Sequence, residues 1–466
     1  MNQNEHEQEI ELARHYSVVG LLKFSAIPIL TILFASVYMI VDALFIANFA
    51  NVDAPSSTPY AAANLASPFV LIFPAVGFMV GGGGNALIGK LLAENRRDTA
   101  NRVFSMLVEF TALAGLAVTL LGMLLLEPYL RWQGADGELL SLGLVYGRIV
   151  LCGTAFFALQ YAFQLFLITS GEEVRAFIYT VAAGVTNIGL DAFLMLTLKM
   201  GVAGAAVGTV AAQAAGGLLP LAYYCSRKNM DTALIHFQWV RMELKPIWKA
   251  CFNGVSEMIE NLTESLTGIL YNTELMRLGG EMAVDAYGSV MYAQMIASLV
   301  FIGFNESVVP LIAYQFGANS REELRSLLDK CTSILFIASI LFFAAFEILA
   351  VPLASLFADG VAQVEELTVR GFRIGSFSLI AMGVSMFMPS LFTALNNGLV
   401  SAIITMFEML VFPAATVVVF SKWFGLDGIW HSLNASWILS VAFCGAILFV
   451  MKRNYEFLER RRPGGT

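Results

Sequence analysis

The sequence predicts an all-α polytopic membrane protein, with twelve transmembrane helices in two pseudo-symmetric six-helix lobes. Three observations predict it. Hydrophobic residues make up 58% of the 466 and charged residues only 13%, about half the roughly 25% charged residues of soluble domains. Mean hydropathy is +0.72. Runs of about 20 apolar residues recur from end to end, long and continuous rather than in the short alternations of a membrane barrel. A set of local features also recurs at one offset of 224 or 225 positions.

Residues 1–18 read as a cytoplasmic tail. They are acidic (Glu5, Glu7, Glu9, Glu11) and lack the basic start and cleavage site of a secretory signal, so the first span is expected to be uncleaved. Twelve spans follow, near 19–47, 61–90, 102–126, 140–168, 174–198, 203–225, 247–273, 284–315, 327–356, 366–393, 399–421 and 427–451. Pro28, Pro68, Pro74, Pro310, Pro352, Pro389 and Pro413 lie inside these spans or near their ends, which predicts helices bent around a cavity. Twenty of the 27 Lys and Arg fall in the tails and even-numbered loops and five in the odd-numbered loops, so both termini are expected in the cytoplasm. Arg148 and Arg373, near outer span ends, are the other two.

Those two arginines are 225 apart, and each precedes Ile. At 224, Asn95-Arg-Arg97 matches Asn319-Ser-Arg321, Thr169 matches Thr393, and Gly201-Val-Ala-Gly204 matches Gly425-Leu-Asp-Gly428. The chain therefore divides into a first lobe at 19–225, a basic cytoplasmic linker at 226–246, a second lobe at 247–451 and a basic tail at 452–466. With six spans each, the lobes stand the same way up around a central cavity.

Polar groups inside the spans are costly and mark function. Asn187 and Asp191 share a helix face one turn apart. Counted from the outer span ends at about 1.5 Å per residue, Asp42, Asp191 and Thr209 lie roughly 7–11 Å deep, with Asn187 one turn deeper. These four can meet in one layer. Their hard oxygens suit a small cation such as Na⁺; alternatively, burial beside a second carboxylate lets one of them carry a proton. Gly201, Gly204, Ala205 and Gly208 on span 6, with Gly184 and Gly189 on span 5, are expected to let helices approach closely. At the repeat offset of 224 Asn187, Asp191 and Thr209 become Val411, Ala415 and Leu433, and Asp42 becomes Leu266, or Thr267 at 225. A polar cluster present in one half of a doubled scaffold reads as a site rather than as scaffold.

The second half carries Glu257, Glu260 and Glu264 on one face of span 7 and Glu306 on span 8. Glu260, Glu264 and Glu306 are candidates to line the cavity and attract an organic cation. Glu257 fits equally a solvated inner mouth. Glu109, Glu347 and Glu408 stand alone in their spans. Among 20 Met, Met258 and Met295 are candidates for an adaptable cavity wall, together with Met291, Met382, Met386 and Met406. Most Met and Phe read as core or lipid-facing. Gly81-Gly82-Gly83-Gly84 lacks the Lys-Ser/Thr of a phosphate loop and reads as a flexible helix segment. Five scattered Cys and four scattered His form no metal or disulfide pattern. No nucleotide-binding or hydrolase motif appears, so an ATP-driven pump and an enzyme are not expected.

Val41-Asp42 with Phe45-Ile-Ala47, Ala62-Ala-Asn-Leu-Ala-Ser-Pro68, the glycine run, Asn187-Ile-Gly-Leu-Asp191 and Gly201-Val-Ala-Gly-Ala-Ala206 occur in this order. Together they resemble the MATE (multidrug and toxic compound extrusion) transporters, and the MepA-like or DinF-like branches more than the NorM type. The resemblance covers nearly the whole chain. It implies a V-shaped pair of lobes exporting organic cations by alternating access, with Asp42, Asn187, Asp191 and Thr209 as the first lobe's cation site. The NorM type has an Asp in span 10, and residues 372–388 here contain no carboxylate.

The expected function is a secondary active multidrug antiporter that exchanges amphipathic organic cations for Na⁺ or H⁺, with no other cofactor and no nucleic-acid partner. It is expected as a monomer in the plasma (inner) membrane. A flippase for lipids or lipid-linked oligosaccharides is the alternative, but it calls for a basic cavity.

Overall fold

The computed structural model describes residues 15–49, 58–226, 233–357 and 362–451. The acidic start and the basic tail lie outside the described residues. All regular structure among those described is helical. Span 1 is α1 (Val18–Phe49). Span 2 is α2 (Thr58–Val70) and α3 (Ala75–Ala93), and span 3 is α4 (Arg97–Trp132). Span 4 is α5 (Gly137–Cys152) and α6 (Thr154–Thr169). Span 5 is α7 (Glu173–Asp191) with a π-helical extension, Ala192–Thr197, and span 6 is α8 (Val202–Cys225). In the second half, α9 (Leu244–Asn253) leads into α10 (Val255–Gly317), which forms spans 7 and 8 across a non-helical Gly280. Then come α11 (Arg321–Phe357), α12 (Ala362–Gly375), α13 (Ser378–Ala394), α14 (Gly398–Met406), a π-helical segment Phe407–Val411, α15 (Phe412–Phe424) and α16 (Leu426–Met451).

Among the described residues nine helices are long and apolar enough to cross a membrane, or up to eleven if each of two bent pairs is one span. The chain is a multi-pass membrane protein. Span 7 is the predicted span missing from that set, because Glu257, Glu260 and Glu264 lower its apolar character. The acids that make it interesting also hide it from a hydropathy test.

The duplication extends to the backbone. Asn95 and Asn319, 224 apart, have φ of 56° and 55°; Gly201 and Gly425 have φ of 58° and 60°. Asn tolerates this left-handed region, and Gly enters it without steric cost. Spans 4 and 10 both break, by 45° and 55°, around Gly153 and around Ser376–Phe377. Proline causes neither bend: span 4 has none, and Pro389 of span 10 lies within continuous α13. Helix α1 likewise runs on through Pro28, while span 2 breaks between Pro68 and Pro74.

The glycine run departs from its expectation as a flexible segment. All four glycines are buried in continuous α3, and each meets a different neighbour. A Cβ on Gly81 would press on Ala162, one on Gly82 on Glu257, and one on Gly84 on Leu107 and Phe166. Gly83 crosses the other lobe so closely that a Cβ would sit 1.9 Å from the Ala250 carbonyl oxygen, and Gly254 meets the Met79 carbonyl in the same way. With the Ser307–Ser25 hydroxyl bond (2.6 Å) and the bond from Lys330 Nζ to the Tyr16 carbonyl (2.6 Å), these contacts join the lobes on the side that collects the basic residues. Gly83→Val should push the crossing about 1.5 Å or more apart, since ordinary contact begins at 3.4 Å. Spin-label distances between α3 and α9 should then shift to longer values. An unchanged distribution would show that this crossing does not close the lobes.

Candidate functional site

Helices α1, α7 and α8 meet in the first lobe because small residues allow it. Gly184 receives the rings of Phe34 and Tyr38 from α1, and a Cβ on Gly208 would lie 2.0 Å from Asp191 Oδ1. Gly204 packs on Leu194 and Met195, whereas Gly189 faces open space and takes no part. The structure brings the four predicted residues together: the Asp42 carboxyl lies within interaction range of the side chains of Asp191, Asn187 and Thr209. Asn187 and Asp191 are 1% and 0% exposed; Asp42 and Thr209 are half-buried. The helix widens immediately after Asp191, with Leu198 N–H donating to the Phe193 carbonyl at 3.1 Å. Such π turns are frequent at functional sites.

The oxygens of this layer are conspicuously unpaired. Asp42 Oδ1, Asn187 Oδ1 and both Asp191 carboxylate oxygens are buried without a hydrogen-bond partner among the described residues. Thr209 donates to the Ala205 carbonyl at 3.0 Å, which leaves its lone pairs facing the layer. No Lys or Arg forms an ion pair with either aspartate among the described residues. A buried carboxylate without a counter-charge is strongly unfavourable, so the arrangement suits a bound cation or proton.

Between the lobes lies a cavity of about 430 Å³. Glu257, Glu260, Glu264 and Glu306 all line it, which places Glu257 in the wall rather than at a solvated mouth. Tyr161 Oη donates to Glu306 Oε1 at 2.8 Å, and Glu306 Oε2 is buried without a hydrogen bond at ordinary distance among the described residues. Phe78 packs edge-on against Tyr161 at 4.1 Å, giving the wall an aromatic face. No Lys or Arg lines the cavity among the described residues. Met258 and Met295 do not line it either, whereas Met39 and Met386 do. Met258 is rotated about 200° from Glu260 around α10, and Met295 lies one turn beyond Leu299, a lining residue on the same face.

Sequence reasoning missed the residues that connect the two places. Tyr38 lines the cavity and interacts with Gln160 on one side and with the Asp42 carboxylate on the other. Its spacing four before Asp42 put it on the same helix face, a signal available from sequence. Tyr146 of α5, beside Ser67, is also within electrostatic reach of both aspartates. It comes from a distant span, and no local pattern marks it. Of the lone acids, Glu347 accepts a bond from Ser376 at 2.6 Å.

The MatE family profile matches twice, at residues 28–193 and 258–418, once in each half. Multidrug export protein MepA of Staphylococcus saprophyticus is 24% identical over 91% of this chain and 92% of that protein; its namesake in a Staphylococcus aureus strain is 25% identical over 91% and 92%. A solved outward-facing multidrug resistance MATE transporter of the MOP superfamily superposes with a TM-score of 0.86 at 19% identity, covering 97% of this chain and 99% of its own. A MOP-superfamily transporter from Pyrococcus furiosus gives 0.84 at 20% identity, with 96% and 99% covered. At these identities the structures establish the fold, and the double match over most of the chain establishes the rest: the protein belongs to the MatE family of membrane transporters, not to a family of enzymes.

Proposed function

We propose that the protein is a secondary active exporter that moves amphipathic organic cations outward in exchange for inward Na⁺ or H⁺. The observation that carries this reading is the cavity: four glutamates and aromatic faces, with no basic side chain among the described residues, beside a layer of oxygens unpaired among them. Carboxylates and ring faces both attract organic cations. The MepA relatives, named as multidrug exporters, support the same substrate class. A phosphate-bearing lipid would meet four acids and no basic side chain among the described residues of this wall, which disfavours the flippase reading. The Pyrococcus furiosus transporter is described as having a binding pocket of reverse polarity that suggests a different function, so polarity is an informative feature on this fold.

The coupling ion binds at Asp42, Asn187, Asp191 and Thr209. Ion binding there favours one arrangement of α1, α7 and α8 and so weakens cargo binding on the outer side. Pro28 frees the carbonyl one turn before it and is a hinge candidate. The basic side, where the lobes touch, faces the cytoplasm with both termini, in the plasma membrane. One chain supplies both lobes, so a monomer suffices.

Proteoliposomes loaded with a fluorescent organic cation test the proposal, with Na⁺ and H⁺ gradients imposed separately. Saturable flux driven by one of the two gradients is expected. Flux that does not saturate would indicate a channel, and flux indifferent to both gradients would refute coupling.

A further inference from the structure

Glu408 is the one lone acid of the second lobe that the structure leaves without a partner among the described residues. It is 3% exposed, and both its carboxylate oxygens are buried and unbonded. It lies in the π-helical segment Phe407–Val411, where the widened turn is tied to span 7 by Thr267, which donates to the Met409 carbonyl at 2.7 Å. Around the carboxyl stand the Ser385 hydroxyl of α13, itself fully buried and unbonded, the Cys444 thiol of α16 and, across from α10, Glu260. Among the described residues Glu260 and Cys444 are the titratable groups that interact with it, and no Lys or Arg does. The Phe407 ring stacks on Phe443 at 4.7 Å and closes the lipid side.

The repeat gives this placement a meaning. At an offset of 224, Glu260 and Glu408 fall on Ser36 of span 1 and Gly184 of span 5. Spans 7 and 11 are therefore the counterparts of spans 1 and 5, which carry Asp42 and Asp191. The second lobe also has an acidic pair on equivalent helices, six to seven residues nearer the basic side, or about 10 Å along the helices. The asymmetry read from the sequence is a stagger rather than an absence.

We propose that Glu408, served by Glu260, is a proton-carrying site of the second lobe, distinct from the aspartate layer of the first. The ligand is a proton rather than a metal ion. One hydroxyl and one thiol beside a carboxylate are too few hard donors for a metal, which takes about six oxygens. Glu260 faces the cavity and Glu408 the interior of the lobe. A proton taken up by the Glu260 carboxylate from cavity water passes to the Glu408 carboxylate; Glu408 becomes the neutral acid, and Glu260 returns to its ionised form, ready for the next proton. If the site turns over once per cycle, it adds about 50-fold to the sustainable cargo ratio for each 100 mV.

This cycle role rests on the exporter reading, but the site itself does not, and infrared pH-difference spectroscopy of the purified full chain separates them. The wild type should show a carboxylic-acid carbonyl band that disappears on alkalinisation, and Glu408→Gln should lack it. In proteoliposomes the same variant should lose about 50-fold in proton-driven cargo ratio per 100 mV. Ser385→Ala keeps Glu408 but removes the adjacent hydroxyl, so it should displace the band even if Glu408→Gln fails to fold. A band insensitive to both substitutions belongs to another carboxyl and overturns the proposal. A wild type that carries no organic cation yet shows the Glu408 band removes the exporter reading and leaves the proton site standing.

Discussion

Asp42→Asn and Asp191→Asn should each sharply lower ion-driven accumulation while leaving the lobes folded. Asn keeps the shape of Asp but carries no charge, and the layer already contains a natural amide at Asn187. What disappears is the counter-charge for the coupling ion. One net charge moving inward per cycle gains about 2.3 kcal/mol per 100 mV, which sustains a cargo ratio of roughly 50-fold. Each variant should therefore lose about 50-fold in cargo ratio per 100 mV in proteoliposomes under an imposed gradient, leaving only the share driven through Glu408. The steady-state distribution of a fluorescent cation is the measurement. If both variants still accumulate it at the original rate, coupling does not pass through this layer, and the unpaired oxygens of Asp42, Asn187 and Asp191 need another explanation.

The second large effect concerns the cavity wall. Glu306→Gln and Glu260→Gln each remove a carboxylate from a wall that has no basic residue to offset it. Hydrogen bonds to charged groups contribute about 1.5–3 kcal/mol, so affinity for an organic cation should fall about 10–100-fold. Fluorescence polarisation with a cationic dye reads this directly. A neutral dye of the same shape should bind almost equally to wild type and variants, because aromatic contacts such as Phe78 against Tyr161 remain. Equal losses for both dyes would mean that the substitution deformed the cavity instead of removing a charge. Intact ion binding in Glu260→Gln alongside lost dye binding would place cargo recognition in the second lobe.

These two predictions separate the layer from the cavity, yet the structure joins them through Tyr38. That side chain lines the cavity, interacts with Gln160 and faces the Asp42 carboxylate from one turn away. An ion that reorganises the Asp42 carboxyl therefore alters the cavity wall directly. Competition between ion and cargo requires only that both act on the same equilibrium between lobe arrangements.

Much of this molecule was legible in the sequence because bilayer physics leaves clear marks. Apolar runs long enough to cross a membrane and a repeat offset of 224 predicted the spans and the two-lobe plan. Counting depth along spans 1, 5 and 6 brought Asp42, Asn187, Asp191 and Thr209 into one layer, since helix rise is constant. Depth can be counted, but direction around and between helices cannot. Only the tertiary structure decided that Gly189 faces open space while Gly208 receives Asp191, and that Met386 rather than Met258 or Met295 lines the cavity. The glycine run was a similar case: its composition suggests flexibility, and only the neighbours on all four sides reveal a close crossing. Glu408 shows the same limit. One carboxylate in an apolar helix is visible in any sequence, but whether a partner reaches it depends on side chains of other helices. Packing brings Ser376 to Glu347 and leaves Glu408 unbonded.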